Sequence, residues 1–347
     1  MLPPYVSIIV PCRNEVNFIA KFLDSLLAND YPKIKMEVLV VDGMSDDGTR
    51  DIIKSYMSQH GFISLINNEQ RTTPVALNLG ITHAKGEVVM RMDVHAEYPT
   101  NYVSGLLAVL DETGADNVGG LCHTVPANNS VIGKAIAIAM AHPFGVGNSY
   151  FRIGVVEPRW VDTVPFGCYR KEVFDRIGLF DEELIRNQDD ELNLRLIKHG
   201  GKILLVPQIV SNYYARDSLR NLWRMYFQYG YFKPLVVRKI GGVLTFRQIV
   251  PGAFVLSLVL LTLLAPWSSK ALLFDNILLS TYVAANLSAS WVTAFRTKVP
   301  SAFALPFIFP VVHFAYGFGY LKGIYEFFLL PLFKSKIPSP RDINISR

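Results

Sequence analysis

Apolar and polar positions follow two rhythms along the first third of the chain. Short apolar runs at residues 6–10, 37–41, 62–66 and 87–92 have the length and β-branched content of buried strands. Between them, residues 16–27, 47–58 and 74–83 carry helical patterns, the second opened by an Asp/Ser cap region. Strand and helix in alternation predict βαβ units, a mostly parallel sheet covered by helices. Ligands of such sheets bind beyond the carboxyl ends of the strands. The polar residues that follow these strands are therefore the ones to inspect: Asn14, Glu15, Asp42, Asp46, Asp47, Asp93 and His95.

The rhythm changes near residue 249. Residues 249–267 are apolar on all sides, and about 20 helical residues cross a bilayer core. A soluble helical domain would show amphipathic stripes instead. Residues 272–292 are a weaker candidate, with Asp275, Asn276 and Asn286, and residues 302–321 are a third. Three spans would leave the basic residues Lys322, Lys334, Lys336, Arg341 and Arg347 outside, against the positive-inside tendency. Two spans with a re-entrant middle segment would return them to the cytosol; length favours three. The expected layout is a catalytic domain over 1–215 and a basic amphipathic interface linker over 216–247. Two or three transmembrane helices over 248–325 and a basic tail over 326–347 complete it.

Composition supports this division. The 347 residues are 50% hydrophobic and 18% charged, against roughly 25% charged in soluble domains, which excludes disorder, collagen and a disulfide scaffold. Cys12, Cys122 and Cys168 stand far apart with no C-x-x-C pair, so they read as reduced thiols on a cytosolic catalytic side. The first residues lack the basic region of a signal peptide, and the apolar run at 6–10 is too short for its core. The net charge of +5 is local: Arg216, Arg220, Arg224, Lys233, Arg238, Lys239 and Arg247 face Asp217 alone. A basic, aromatic stretch before an apolar span suits an anionic lipid surface. No nucleic-acid motif accompanies it.

Chemistry-bearing residues gather in separate blocks. Val6-Ser7-Ile8-Ile9-Val10-Pro11-Cys12-Arg13-Asn14-Glu15 is a strand running into a polar turn. Val41-Asp42-Gly43-Met44-Ser45-Asp46-Asp47-Gly48-Thr49 puts a carboxylate at a strand end before a turn and a helix start, where it can accept from a base or ribose. In Met92-Asp93-Val94-His95 the acid and the imidazole are two apart and point the same way, toward a metal ion or a diphosphate. Gln188-Asp189-Asp190-Glu191 crowds three acids into a helix's first turn. That exceeds what the helix dipole asks for, and one of them suits a general base. His123, His142 and His199 have no ligand-like spacing.

In order and spacing these blocks resemble the inverting glycosyltransferases of family 2, which have the α/β GT-A (Rossmann-like) nucleotide-sugar fold with a mostly parallel central sheet. Residues 162–174 and 178–182 are similar to the acceptor-side block of that family. More narrowly, Val41-Asp42-Gly43, Asp93-Val94-His95 and Pro143-Phe144-Gly145-Val146-Gly147-Asn148 resemble succinoglycan-type exopolysaccharide glucosyltransferases. The resemblance implies that Pro11, Asn14 and Glu15 line the nucleotide pocket and that Asp42 contacts the uracil or ribose of a UDP-sugar. Asp93 would sit by the ribose and sugar, with His95 in the metal-ligand place for Mn²⁺ or Mg²⁺, and Asp189 would be the catalytic base.

Two departures from the family pattern carry consequences. His95 replaces the second acid of Asp-x-Asp, leaving the metal site one negative charge poorer, and Gln188 replaces the Glu before the base. The Gln-x-x-Arg-Trp motif of processive synthases is absent, so addition of a single sugar is expected. The implied reaction moves a hexose, glucose from UDP-glucose, onto a polyprenyl-diphosphate-linked saccharide at the cytosolic face of the inner membrane. Other glycan-assembly membrane proteins would be its neighbours. A polyprenyl-phosphate sugar transferase and a non-catalytic nucleotide-sugar-binding membrane protein are the competing readings.

Overall fold

The computed structural model describes residues 3–242 and 248–332. Arg247, Lys334, Lys336, Arg341 and Arg347 lie outside the described residues. Two compact units divide the chain: Met1–His123 with Gly154–Tyr213, and Thr124–Ile153 with Tyr214–Arg347.

The first unit opens with β1 (Val6–Cys12), α1 (Ile19–Leu27), β2 (Met36–Asp42), α2 (Thr49–Gln59), β3 (Ile63–Asn67), α3 (Thr73–His83) and β4 (Val88–Arg91), the alternation that the pattern predicts. β5 (Ala96–Glu97), α4 (Tyr102–Thr113) and β6 (Asn117–Val125) follow. The chain then builds α5 (Val131–Met140), α6 (Pro143–Val146) and α7 (Tyr150–Ile153), which belong to the second unit. It returns with β7 (Arg159–Trp160), β8 (Cys168–Arg170), α8 (Glu172–Ile177), α9 (Gln188–Lys198) and β9 (Ile203–Tyr214).

Among the described residues the sheet order is β3-β2-β1-β4-β8-β6-β9-β5, with β7 paired to β9. β1 is parallel to β2 and β4, and β2 to β3; β8 runs antiparallel to β4 and β6. Every residue of β1 and β2 is buried, as parallel strands covered on both faces require. The helix cover is close: a Cβ on Gly80 of α3 would come 2.4 Å from Ile9 Cγ2. Register aligns Cys12 with Asp42, Asp42 with Asn67, and Ile9 with Arg91, so the polar strand ends share one edge of the sheet.

The second unit adds α10 (Leu219–Ile240), α11 (Val250–Leu264), α12 (Ser269–Thr297) and α13 (Leu305–Ile324). Three of its segments, Val250–Trp267, Ser269–Thr297 and Pro300–Leu332, are helical, long and apolar enough to cross a membrane. Leu260, Leu263, Phe274 and Ile277 turn outward. Of the polar residues in the middle segment, Asn286 and Ser290 turn inward and are buried, and Asn286 Nδ2 donates to the Pro306 carbonyl (2.9 Å), whereas Asn276 is exposed. Tyr282 hydroxyl meets His313 Nδ1 at 3.0 Å. Helices α5 and α6 are held to this bundle by histidine. His142 Nδ1 accepts the Phe144 N–H (3.0 Å) while its Nε2 meets Thr293 Oγ1 (3.0 Å), and His313 Nε2 meets the Phe144 carbonyl (2.8 Å).

Helix α10 lies against α13 at backbone distance. An added Cβ would come 2.0 Å from the Tyr316 carbonyl oxygen at Gly230, 2.1 Å from that of Phe227 at Gly319, and 2.3 Å from that of Tyr231 at Gly323. Small residues let apolar helices meet this closely. Gly319→Leu therefore forces the two helices apart, at about 1–3 kcal/mol. Its thermal unfolding midpoint in detergent is expected to fall by several degrees. Gly242→Ala, whose Cβ meets nothing within 4 Å, leaves the midpoint unchanged.

Candidate active site

The loops after β1 and β2 are sewn together. Asn14, in the left-handed region (φ 53°), donates its N–H to Ser45 Oγ (2.8 Å) and accepts the Asp46 N–H on Oδ1 (3.1 Å). Glu15 N–H donates to Thr49 Oγ1 (2.7 Å), and Val16 N–H to Asp47 Oδ2 (3.1 Å). Asp42 is fully buried behind them. It accepts the Ser45 N–H (3.0 Å), the Ser45 hydroxyl and Arg50 Nη1 (2.5 Å), and Arg50 reaches on to Asn67 Oδ1 (2.7 Å). A carboxylate offers about four lone-pair sites, and three are used here.

Asp93 follows β4, and Tyr98 hydroxyl accepts its backbone N–H (2.7 Å). Arg91 Nε donates to Asp93 Oδ1 (2.8 Å) and Nη2 to Oδ2 (2.9 Å), while Nη1 donates to Asp189 Oδ1. One guanidinium thus joins the strand-end acid to the acid of the first turn of α9. His95 Nε2 lies 2.9 Å from Glu15 Oε1, and the Phe18 and His95 rings meet in a T-shaped contact (centroids 4.9 Å apart). A carboxylate beside one ring nitrogen favours the charged imidazole and is a common neighbour of metal-ligating histidines.

Helix α9 is anchored from its interior. Asn193, fully buried, donates to Thr163 Oγ1 (2.9 Å) and accepts from Asn117 Nδ2 (3.0 Å) and the Tyr169 hydroxyl (3.2 Å). Arg195 pairs with Glu191 through Nε (2.8 Å) and Nη2 (2.7 Å), and also donates to the carbonyls of Ile177 and Leu179. Glu191 is thereby occupied, whereas Asp189 turns to Arg91. Burial raises the Asp189 carboxyl above its ordinary range, the Arg91 charge pulls it down, and Asp93 and Asp190 push it further up.

The sequence candidates fall into two tiers. Asn14, Asp93, His95 and Asp189 reach the surface, whereas Pro11, Glu15 and Asp42 are buried behind them. Arg91 was not among the candidates, although Arg91 and Asp93, two apart at a strand end, were the signal that they share a face. Tyr98 and Asn193 left no comparable mark.

Among the described residues no cluster of three or more His, Cys, Asp and Glu side chains could hold a metal by itself. An ion held by Asp93 and His95 would have to take most of its ligands from a substrate's phosphates and water, the usual mode of Mg²⁺, and would share the Asp93 carboxylate with Arg91.

Residues 7–178 match the family model described as glycosyl transferase family 2. A dolichyl N-acetyl-α-D-glucosaminyl phosphate 3-β-D-2,3-diacetamido-2,3-dideoxy-β-D-glucuronosyltransferase of Methanococcus voltae is 30% identical over 328 residues, 92% of this chain and 97% of that protein. The succinoglycan biosynthesis protein ExoA of Rhizobium meliloti is 31% identical over 248 residues, 71% of this chain and 74% of ExoA. Among solved structures, the mannosyltransferase PcManGT of Pyrobaculum calidifontis, in complex with GDP-Man and Mn²⁺, superposes with a TM-score of 0.61. That likeness, at 20% identity over 92% of this chain and 88% of the other, is one of fold.

Proposed function

The chain belongs to glycosyl transferase family 2, and from that premise we propose that it moves a hexose, glucose from UDP-glucose, onto a polyprenyl-diphosphate-linked saccharide with inversion. The observation that carries this reading is the pairing of Asp189 and Asp93 through Arg91. An inverting transfer needs a base beside the acceptor hydroxyl and a group beside the departing diphosphate, on opposite faces of the sugar. Asp189 is the base: it takes the hydroxyl proton as that oxygen bonds the anomeric carbon and the bond to the diphosphate breaks. No covalent enzyme intermediate is needed.

Asn14, with Pro11, Glu15 and Asp42 behind it, forms the nucleotide side of the pocket. Asp93 and His95 would hold the divalent metal, Mn²⁺ or Mg²⁺, which when bound neutralises charge on the leaving diphosphate. Glu15 stands beside the His95 ring (2.9 Å), and Tyr98 fixes the backbone at Asp93. For the acceptor, the long apolar helices and the basic residues of α10 support a substrate presented at a membrane surface. The Methanococcus voltae relative, named for a dolichyl-linked sugar phosphate, supports an acceptor that already carries a sugar over a bare lipid phosphate.

The test is UDP release by the full-length protein in detergent with Mn²⁺, across a panel of UDP-sugars, with and without polyprenyl-linked saccharides. Release with UDP-glucose that depends on the linked saccharide is expected. Release that needs only polyprenyl phosphate would replace this acceptor with the lipid itself. Donor binding by calorimetry without turnover on any acceptor would favour a binding protein.

A further inference from the structure

We infer that Arg91 is a positioning residue for the transfer, one side chain that fixes the distance between the base and the donor-side acid. The inference rests on the reading of Asp189 as the base. Arg91 uses Nη1 for Asp189 and Nε and Nη2 for the two Asp93 oxygens (2.8 and 2.9 Å). The guanidinium is planar and its donors are set in a rigid fork, so both carboxylates take their places from the same plane.

Arg91 is itself held. It is the last residue of β4, opposite Ile9 of β1, and its N–H donates to the Gly167 carbonyl (3.1 Å). Its side chain is 11% exposed, against 29% for Asp93 and 38% for Asp189. The arginine therefore stands as a fixed support, and the two acids reach from it toward the open side.

This arrangement matches a demand of the chemistry. In a single displacement the attacking oxygen, the anomeric carbon and the departing oxygen lie nearly in line. The base sits at one end of that line and the diphosphate at the other. Asp189 and Asp93 address the two ends, so the span that Arg91 sets between them is the span the reaction uses. A misplacement of about 1 Å can cost roughly 100-fold in rate. Arg91 also acts through charge. Asp189 faces Asp93 from beyond β4 and Asp190 from its own helix, and Arg91 is the cation that offsets them; the Tyr169 hydroxyl from β8 stays neutral beside it.

The test compares full-length Arg91→Gln, Arg91→Lys and Asp189→Asn with the unaltered protein, reading kcat and the pH profile of kcat/KM. Arg91→Gln is expected to lose about 100-fold in kcat, with the acid limb moved to higher pH because Asp189 has lost its compensating cation. Arg91→Lys restores the charge but not the fork. Its limb returns toward the original while kcat stays about 10-fold down, in keeping with a partial misplacement. A general loss of folding would lower kcat without moving the limb. Should Arg91→Gln not fold, Arg91→Lys decides alone: a kcat equal to that of the unaltered protein overturns the inference. So does an unmoved limb in a folded Arg91→Gln. An active Asp189→Asn would overturn the base reading instead, whatever the Arg91 variants do.

Discussion

Asp189→Asn is expected to lower kcat by about 10³-fold while donor binding, read by calorimetry, changes little. General-base catalysis contributes on the order of 10²–10⁴-fold, and Asn keeps the size of the side chain while removing the group that accepts the proton. Asp189 touches Arg91, and the helix that carries it is anchored independently by Asn193. The substitution therefore leaves the fold and the donor pocket standing. The unaltered protein should also show the base in its pH dependence. As the proposed base Asp189 must be ionised, and burial together with Asp93 and Asp190 raises its carboxyl against the pull of Arg91. The acid limb of kcat/KM then lies above the ordinary Asp range near about 3.9, and activity falls as pH drops through it. A limb at or below that range, or a variant retaining full kcat, would assign the base elsewhere.

Asp93→Asn is expected to cut kcat/KM for the donor by roughly 100-fold and to raise the Mn²⁺ concentration needed for half-maximal rate. The metal's Lewis-acid contribution is worth several kcal/mol, and in the proposed site, with His95 as the other protein ligand, there is only one carboxylate to lose. Tyr98 continues to hold the backbone at residue 93, while Arg91 loses one of its two acceptors there together with the charge, so the effect is one of charge more than of folding. Donor titrations with and without Mn²⁺ separate the two causes. The unaltered protein should bind UDP-glucose more tightly with metal, and Asp93→Asn should lose that difference while keeping the metal-free affinity. Equal metal dependence in both proteins would remove Asp93 from the metal site.

Much of this architecture is legible in the sequence, because its signals are local. The runs 6–10, 37–41, 62–66 and 87–92 fall on β1 to β4; β1 and β2 read as short apolar runs because they are buried on both faces, and β3, at the sheet's edge, is only partly buried. Strand ends then place Asn14, Asp42 and Asp93 at one edge of the sheet without any tertiary information. What stays illegible depends on side chains distant in sequence. Arg91 reads as an ordinary charge beside a strand until α9 brings Asp189 to it. His142 and His313 carry no ligand-like spacing, yet they hold α5 and α6 to α12 and α13. The polar residues of 272–292 weaken a hydropathy pattern because it does not register which face they occupy, and in α12 Asn286 and Ser290 turn inward. The departure at His95 was visible as a substitution, but its partner Glu15 emerges only when the first loop folds beside it.

The anomeric configuration of the product separates a single displacement from a retaining transfer. UDP-glucose carries its sugar in the α configuration, and a single displacement with Asp189 as base must deliver a β-linked glucose. NMR of the saccharide released from the lipid-linked product, together with its loss in Asp189→Asn, gives the answer. A β linkage is the result this account predicts; an α linkage would require retention, and with it a different nucleophile and a different role for Asp189.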